Sequence, residues 1–466
     1  MGRLREPEVA LFAPPLANFH RPFGTFGKAL LLYQPNLVIN HPSRCQAKPI
    51  ILARLNGLTV FSQLSKMRLA LLRIYAPTES KFMPTETNYS TQATTGIDLA
   101  AIEREMNAFW KELGQEDDQE AVIRACVLNL VFYVDSQSMA RKADDLLIDV
   151  TIKNPSRALL LIADSAAEQS SISSQVLSRC TLPTGKAKQV CCEQVTISSS
   201  GTQINELPSI VAPLLLSDLP TFLCWFAPFS IENKVLKRLG NLADRIVIDT
   251  ERSTNPQADL IALAQQFTDK PKWAAFSDLN WARLTPWRKL LAGFYDVADY
   301  RPHLRRVNRV MIDYISSLND SHQIPTSPLM IAGWLASRLG WSINSAEIED
   351  SATVFQFSKS DGQALSIHLN RRQAEQASSH IISKIALLEA DNRASFQVEQ
   401  GTEAHWLTTE VTIGTEHRPC HMCSHEPEGT ERLLENELEN LGADRVYEQA
   451  VICTGRMLQA LTSIQN

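Results

Sequence analysis

From residue 98 onward the apolar positions recur with legible periods. Asp98 suits an N-cap, and Leu99, Ile102, Met106, Phe109 and Leu113 follow at helical spacing until Gly114 breaks the pattern, which predicts an amphipathic helix. Val122 to Val134 is a β-rich apolar run, Ala140, Ala143, Leu146, Leu147 and Val150 return to helical spacing, and Arg157 to Asp164 is again almost continuously apolar. Strand, helix and strand in that order predict a βαβ unit, because parallel strands buried on both faces show no alternation. Strands on either side of Gly185 (176–182 and 189–198), a helix near 207–216 and buried strands at 221–226 and 245–249 extend this to an α/β domain over residues 95–270.

The period changes after Asp278. A Trp-rich stretch leads into a helix, and a second helix runs near Leu329 to Leu339. Then Phe355 and Phe357 alternate up to Asp361-Gly362, and Leu365, Ile367 and Leu369 alternate after it, a hairpin signal. Ile385 and Leu387 pair by the same logic with Phe396 and Val398 across Asp391-Asn392, Trp406 to Ile413 adds a strand, and acidic helices near 431–441 and 444–461 close the chain. Residues 278–466 therefore read as an α+β domain with an antiparallel sheet and C-terminal helices, following the mostly parallel or mixed sheet of the first.

Charge divides the chain differently. The 466 residues carry a net −6. Residues 1–82 hold 11 Lys plus Arg against three acidic residues (Glu6, Glu8, Glu79), a net +8, and the remainder carries 34 basic and 48 acidic groups, a net −14. Apolar runs in 1–82 are too short to span a membrane, and the segment lacks both the Ser content of a transit peptide and the layout of a signal peptide. The Thr-rich lead after Met83 looks like a native N-terminus, so 1–82 is expected to be a non-native or unstructured basic extension. The acidic body should repel nucleic acid and anionic membranes, which leaves another protein as the expected partner.

Catalytic motifs are missing. There is no Gly-x-Gly-x-x-Gly, the nearest match being Gly24 and Gly27 in 1–82, no Walker loop, no His-Glu-x-x-His and no nucleophile elbow, and no histidine stands between His41 and His303. No cofactor or metal is expected. The one local constellation is His417-Arg418-Pro419-Cys420-His421-Met422-Cys423-Ser424-His425, where Cys420 and Cys423 suit a redox pair, half of a zinc site, or two plain thiols in a surface loop. Vicinal Cys191-Cys192, and Cys180 across the presumed hairpin, read as small buried strand residues, while Cys126 and Cys224 read as core. An odd total of nine cysteines indicates a cytoplasmic protein without a disulfide framework. Trp281, Arg283, Trp287 and Arg288 mix aromatics with guanidinium groups, as protein interfaces do and as a domain-junction core also does.

Several segments together resemble the glucose-6-phosphate dehydrogenase assembly protein family (OpcA) in its cyanobacterial form. They are Arg157 to Asp164, the proline-spaced Leu207 to Pro220, Ala243 to Asp249, and Asp278 to Trp287. The resemblance runs in order over about 98–462 and implies a non-catalytic accessory protein that binds glucose-6-phosphate dehydrogenase, promotes its active oligomer and raises its affinity for glucose 6-phosphate. It also implies thioredoxin-linked redox control of the oxidative pentose phosphate pathway, with Cys420, Cys423, Cys191 and Cys192 as the redox candidates. The alternative is a sugar-phosphate or nucleotide-binding enzyme with an unrecognised loop at the carboxyl ends of the first domain's strands; a third reading is a thiol-redox protein in its own right.

Overall fold

Successive side chains of a strand point to opposite faces, so a continuously apolar strand must be covered on both sides. The computed structural model shows this for the first sheet, and it describes residues 85–89, 97–113, 123–124, 126–181, 190–269, 274–316, 323–349, 352–372, 381–401, 406–424, 429–440 and 442–465. The expected extension 1–82 lies outside the described residues. The strands of this sheet are β1 (Thr85–Tyr89), β2 (Ile123–Arg124), β3 (Leu128–Val134), β4 (Ser156–Asp164), β5 (Ile172–Thr181), β6 (Val190–Ser200), β7 (Thr221–Trp225), β8 (Arg245–Ile248) and β9 (Ala275–Asp278). Its helices are α1 (Leu99–Leu113), α2 (Gln137–Lys153), α3 (Leu207–Leu214), α4 (Lys234–Gly240) and α5 (Pro256–Thr268). The main path runs β1-β5-β6-β4-β3-β7-β8-β9, and β2 pairs with β6. β6, β4, β3, β7, β8 and β9 are mutually parallel, whereas β5 lies antiparallel to β6.

Leu130, Phe132, Leu160 and Phe222 face α2 on one side of the sheet, in a cluster completed by Ala143, Leu147 and Val150. Val131, Leu159, Leu161, Leu223 and Ile246 belong to the larger cluster on the other side, with Ile102 and Met106 of α1, Leu207 and Val211 of α3, and Leu260 and Leu263 of α5. The capping reading holds at Asp98, whose Oδ1 accepts from Ala101 N at 3.1 Å.

The remaining elements are α6 (Leu279–Arg283), α7 (Thr285–Asp296), α8 (Arg301–Arg305), β10 (Val307–Ile315), α9 (Thr326–Leu339), β11 (Ser342–Ile348), β12 (Ala352–Ser358), β13 (Ala364–Arg372), β14 (Ile381–Glu389), β15 (Ala394–Gln400), β16 (Trp406–Ile413), β17 (Glu416–Ser424), α10 (Thr430–Leu438) and α11 (Arg445–Gln465). Eight strands form one sheet in the order β11-β12-β13-β10-β14-β15-β16-β17. Both hairpins read from the sequence are present; Gly362 (φ 82°) and Asp391 (φ 60°) supply the left-handed residues their turns need. The sheet is mixed, because β10 pairs parallel to β13 and antiparallel to β14. The Cys-x-x-Cys segment, one reading of which was a surface loop, is the edge strand β17.

The larger apolar cluster continues through α7, α9 and α11 into one face of the eight-stranded sheet, where Phe355, Ile367, Val310, Leu387 and Phe396 project. α10 turns back to the first sheet, with Leu433, Leu434 and Leu438 in its α2-side cluster and Lys153 paired to Glu435 at 2.5 Å. Among the described residues no helix is long and apolar enough to cross a membrane.

Candidate functional site

Open parallel sheets bind ligands beyond the carboxyl ends of their strands, where the strand order reverses. In chain order the six parallel strands β3, β4, β6, β7, β8 and β9 are arranged third, second, first, fourth, fifth, sixth, so the reversal falls between β3 and β7. This is the order of a dinucleotide-binding sheet. Such a site needs glycines in the turn after its first strand, for the tight turn and for close approach of the pyrophosphate. Here the turn is Val134-Asp135-Ser136-Gln137-Ser138, with no glycine and with a carboxylate where an anion would sit. Ser136 caps α2, its Oγ accepting from Met139 N at 3.4 Å. Across the reversal point Tyr133 stacks on Trp225 with ring centroids 3.9 Å apart and planes 4° from parallel, both rings being buried. Burial, followed by the Asp135 charge, pushes the Tyr133 phenol up to about 12, so it stays neutral at ordinary pH. These residues do not fit a dinucleotide: the turn is acidic and side-chain-bearing, and the crevice is filled by the chain's own rings.

The ends of β8 and β9 carry a second, polar cluster. Asp278 is fully buried; its Oδ1 accepts from Thr250 N (3.1 Å) and Asn280 N (3.0 Å), and its Oδ2 from Thr250 Oγ1 (2.7 Å) and Tyr447 Oη (3.3 Å). Desolvation, then the nearby Asp249 charge, raises its pKa to about 7 in spite of these bonds. Asn280 extends the network, donating to Thr326 Oγ1 at 2.7 Å and accepting from Ser327 Oγ at 2.8 Å. Arg283 holds Asp249 through both guanidinium ends (2.8 and 2.6 Å) and Glu251 at 2.9 Å. Although burial opposes its charge, the bonds to Asp249 and the surrounding carboxylates hold its pKa above the ordinary arginine value.

Of the four partner-contact candidates, Trp281 and Trp287 are interior, 4% and 5% exposed. Trp281 Nε1 donates to Asp444 Oδ2 at 3.0 Å, and the Arg288 guanidinium carbon lies 3.5 Å over the Trp281 ring, a cation–π contact. Arg288 also donates to Thr285 Oγ1 at 2.8 Å, and burial lowers its pKa to about 10. Arg283 is half-buried. Sequence reasoning gave no role to Asp249, Asn280 or Tyr447; the signal was an Asp directly after one short apolar strand and another ending the next.

The cysteines separate by environment. Cys191 is disulfide-bonded, which corrects the reading of a plain buried residue, and in the β5–β6 register it stands opposite Cys180. Cys192 is a buried thiol whose pKa burial pushes up to about 11. Cys224 is a core thiol, as expected, whereas Cys126 is only half-buried. Cys423 sits opposite Leu407 in the β16–β17 register, and Cys420 falls within its bulge. The side chains of Cys420 and Cys423 lie outside the described residues.

The geometry defines a class: a dinucleotide-type sheet whose crevice is closed from within, joined by a shared core to a broad mixed sheet. Residues 148–265 match the family model for the glucose-6-phosphate dehydrogenase subunit N-terminal domain, and residues 274–451 match that for the same subunit's C-terminal domain. The chain belongs to the OpcA family of glucose-6-phosphate dehydrogenase assembly proteins. It is similar to the OxPP cycle protein OpcA of Synechocystis sp., 26% identical over 319 residues that cover 66% of this chain and 65% of the relative. The OpcA of Nostoc punctiforme is 30% identical over 194 residues, 41% of this chain and 40% of the relative. The matched residues thus span between two fifths and just under two thirds of those relatives' lengths. An oxidoreductase structure from Sinorhizobium meliloti aligns at a TM-score of 0.44 and 11% identity, covering 73% of this chain and 98% of the other.

Proposed function

We propose that this protein is a non-catalytic assembly factor that binds glucose-6-phosphate dehydrogenase in the cytoplasm and activates it allosterically within the oxidative pentose phosphate pathway. The observation that carries this reading is the match of both subunit domains, in order, over 148–265 and 274–451. The filled, acidic crevice supports it over the alternative of a nucleotide-binding enzyme. An activator shifts its target only by binding the active form more tightly than the inactive one, so the expected effect is on substrate affinity and assembly. Titrating the chain into glucose-6-phosphate dehydrogenase at subsaturating glucose 6-phosphate should lower the apparent KM, with co-elution of the two proteins. No change under either reducing or oxidising conditions, and no co-elution, would exclude the reading.

Redox control through thioredoxin is the finer part of the proposal. The disulfide at Cys191, one of the four redox candidates, supports it. The same titration before and after reduction by thioredoxin should give two different activation curves; superimposable curves would remove the redox part alone.

A further inference from the structure

The eight-stranded sheet has two unlike faces. α7, α9 and α11 belong to the core on the face that bears Phe355, Phe357 and Phe396; Phe294 of α7 and Tyr300 both pack on Phe396, and Trp341 packs on Phe357. Cross-strand register sets the opposite face. Its middle row runs Glu347, Val354, His368, Met311, Ala386, Gln397, Glu410 from β11 to β16. Val354 and Ala386 are buried, at 1% and 4% exposure, yet belong to neither apolar core. His368 and Met311 between them, and Gln397 beyond Ala386, are half-buried.

We infer that this outer face of the eight-stranded sheet is the surface on which the chain receives its dehydrogenase partner, an inference that rests on the proposed function. Three observations support it. First, the area is sufficient: eight strands at ~4.8 Å spacing and about six residues at ~3.4 Å give roughly 700 Å² of flat surface, against about 800 Å² per partner in a stable complex. Second, the charge is arranged as in an interface, with a neutral centre and a polar rim. From Val354 to Gln397 the row holds no carboxylate, lysine or arginine, and desolvation lowers the His368 pKa, which keeps that ring neutral near pH 7. Third, most charges around that neutral stretch are already bonded on the face: Asp313 to Arg372 (2.5 Å) and Lys384 to Glu399 (3.4 Å) as ion pairs, and Glu410 to the His417 ring at 2.8 Å. Arg309, Glu347 and Glu349 remain as orienting charges. The partner suited to this surface presents a broad, flat, uncharged patch of its own, as a second sheet face does.

The test uses the full chain and purified glucose-6-phosphate dehydrogenase, with the Kd read by titration and self-association by light scattering. Met311→Glu and, separately, Gln397→Arg should each weaken binding at least tenfold, whereas Lys289→Glu, an exposed site on α7, should leave it unchanged. Circular dichroism melts matching wild type show that the variants fold, and two independent sites guard against one that does not. If wild type binds and both folded face variants bind equally well, the inference is wrong while the proposed function stands. Should the variants abolish self-association and leave dehydrogenase binding intact, the occupant is a second copy of this chain and the inference is again overturned. If wild type itself fails to bind, the proposed function falls first.

Discussion

Asp278 shows how a single residue carries a pH signature. Its pKa is raised to about 7 in the folded chain by burial and by Asp249, against an ordinary value of 3.8. The folded state therefore holds the proton more tightly than the unfolded one. Stability from this group is fully present below about pH 4 and is lost as pH rises through about 7, because the folded state binds more protons in that window. Asp278→Asn keeps an acceptor for the two backbone donors and removes the titration. We expect urea unfolding between pH 4 and 7 to show a flatter pH dependence for this variant than for wild type; parallel curves would contradict the assignment. The residue types were legible in the sequence, but their pairing was not. Asp249 and Asp278 are 29 positions apart, and only adjacent parallel strands bring their ends together.

At the scale of elements, the apolar patterns placed most helices and strands, because each has either one clear apolar face or, in the parallel strands, a continuous apolar run. Five strands escaped for a common reason. β1 is polar throughout, β9 is only four residues long, β10 is interrupted by Arg309 and Asp313, β11 is an exposed edge, and β17 carries a proline and five polar residues, so none shows a continuous apolar signal. The helix crossing of α9 and α11 was equally invisible. Gly333 lies so close to Thr454 and the Ala450 carbonyl that a methyl group there would overlap both, and Gly455 approaches Ala264 of α5 in the same way. Thr454 Oγ1 meanwhile bonds within its own helix to Ala450 O at 2.9 Å. Gly333→Ala should therefore destabilise the chain by about 1–3 kcal/mol, the usual cost of overpacking a tight core, although alanine has the better helix propensity. A thermal melt at or above the wild-type midpoint would show that the crossing yields more easily than the geometry indicates.

At the scale of the whole molecule, one apolar cluster links the two sheets through α5, α9 and α11, and Arg245 of β8 is buried against Ser277, the Gly442 carbonyl and Glu437. A fragment ending at residue 270 would lose α10 and α11 and uncover Leu130, Phe222 and Leu263. It should unfold broadly and bind hydrophobic dye, whereas the full chain should melt in one calorimetric transition; a sharply folding fragment would mean that the first sheet is self-sufficient. The sequence by itself determined the βαβ character of the first half, the two hairpins, the lack of a phosphate loop and the family, because these depend on local periods and contiguous motifs. Only the tertiary structure decided the strand order, the aromatic filling of the crevice, the burial of Trp281 and Trp287, and the uncharged row across the second sheet. Each of those depends on residues far apart in the chain, and the free energy of packing, not local preference, selects which of them meet.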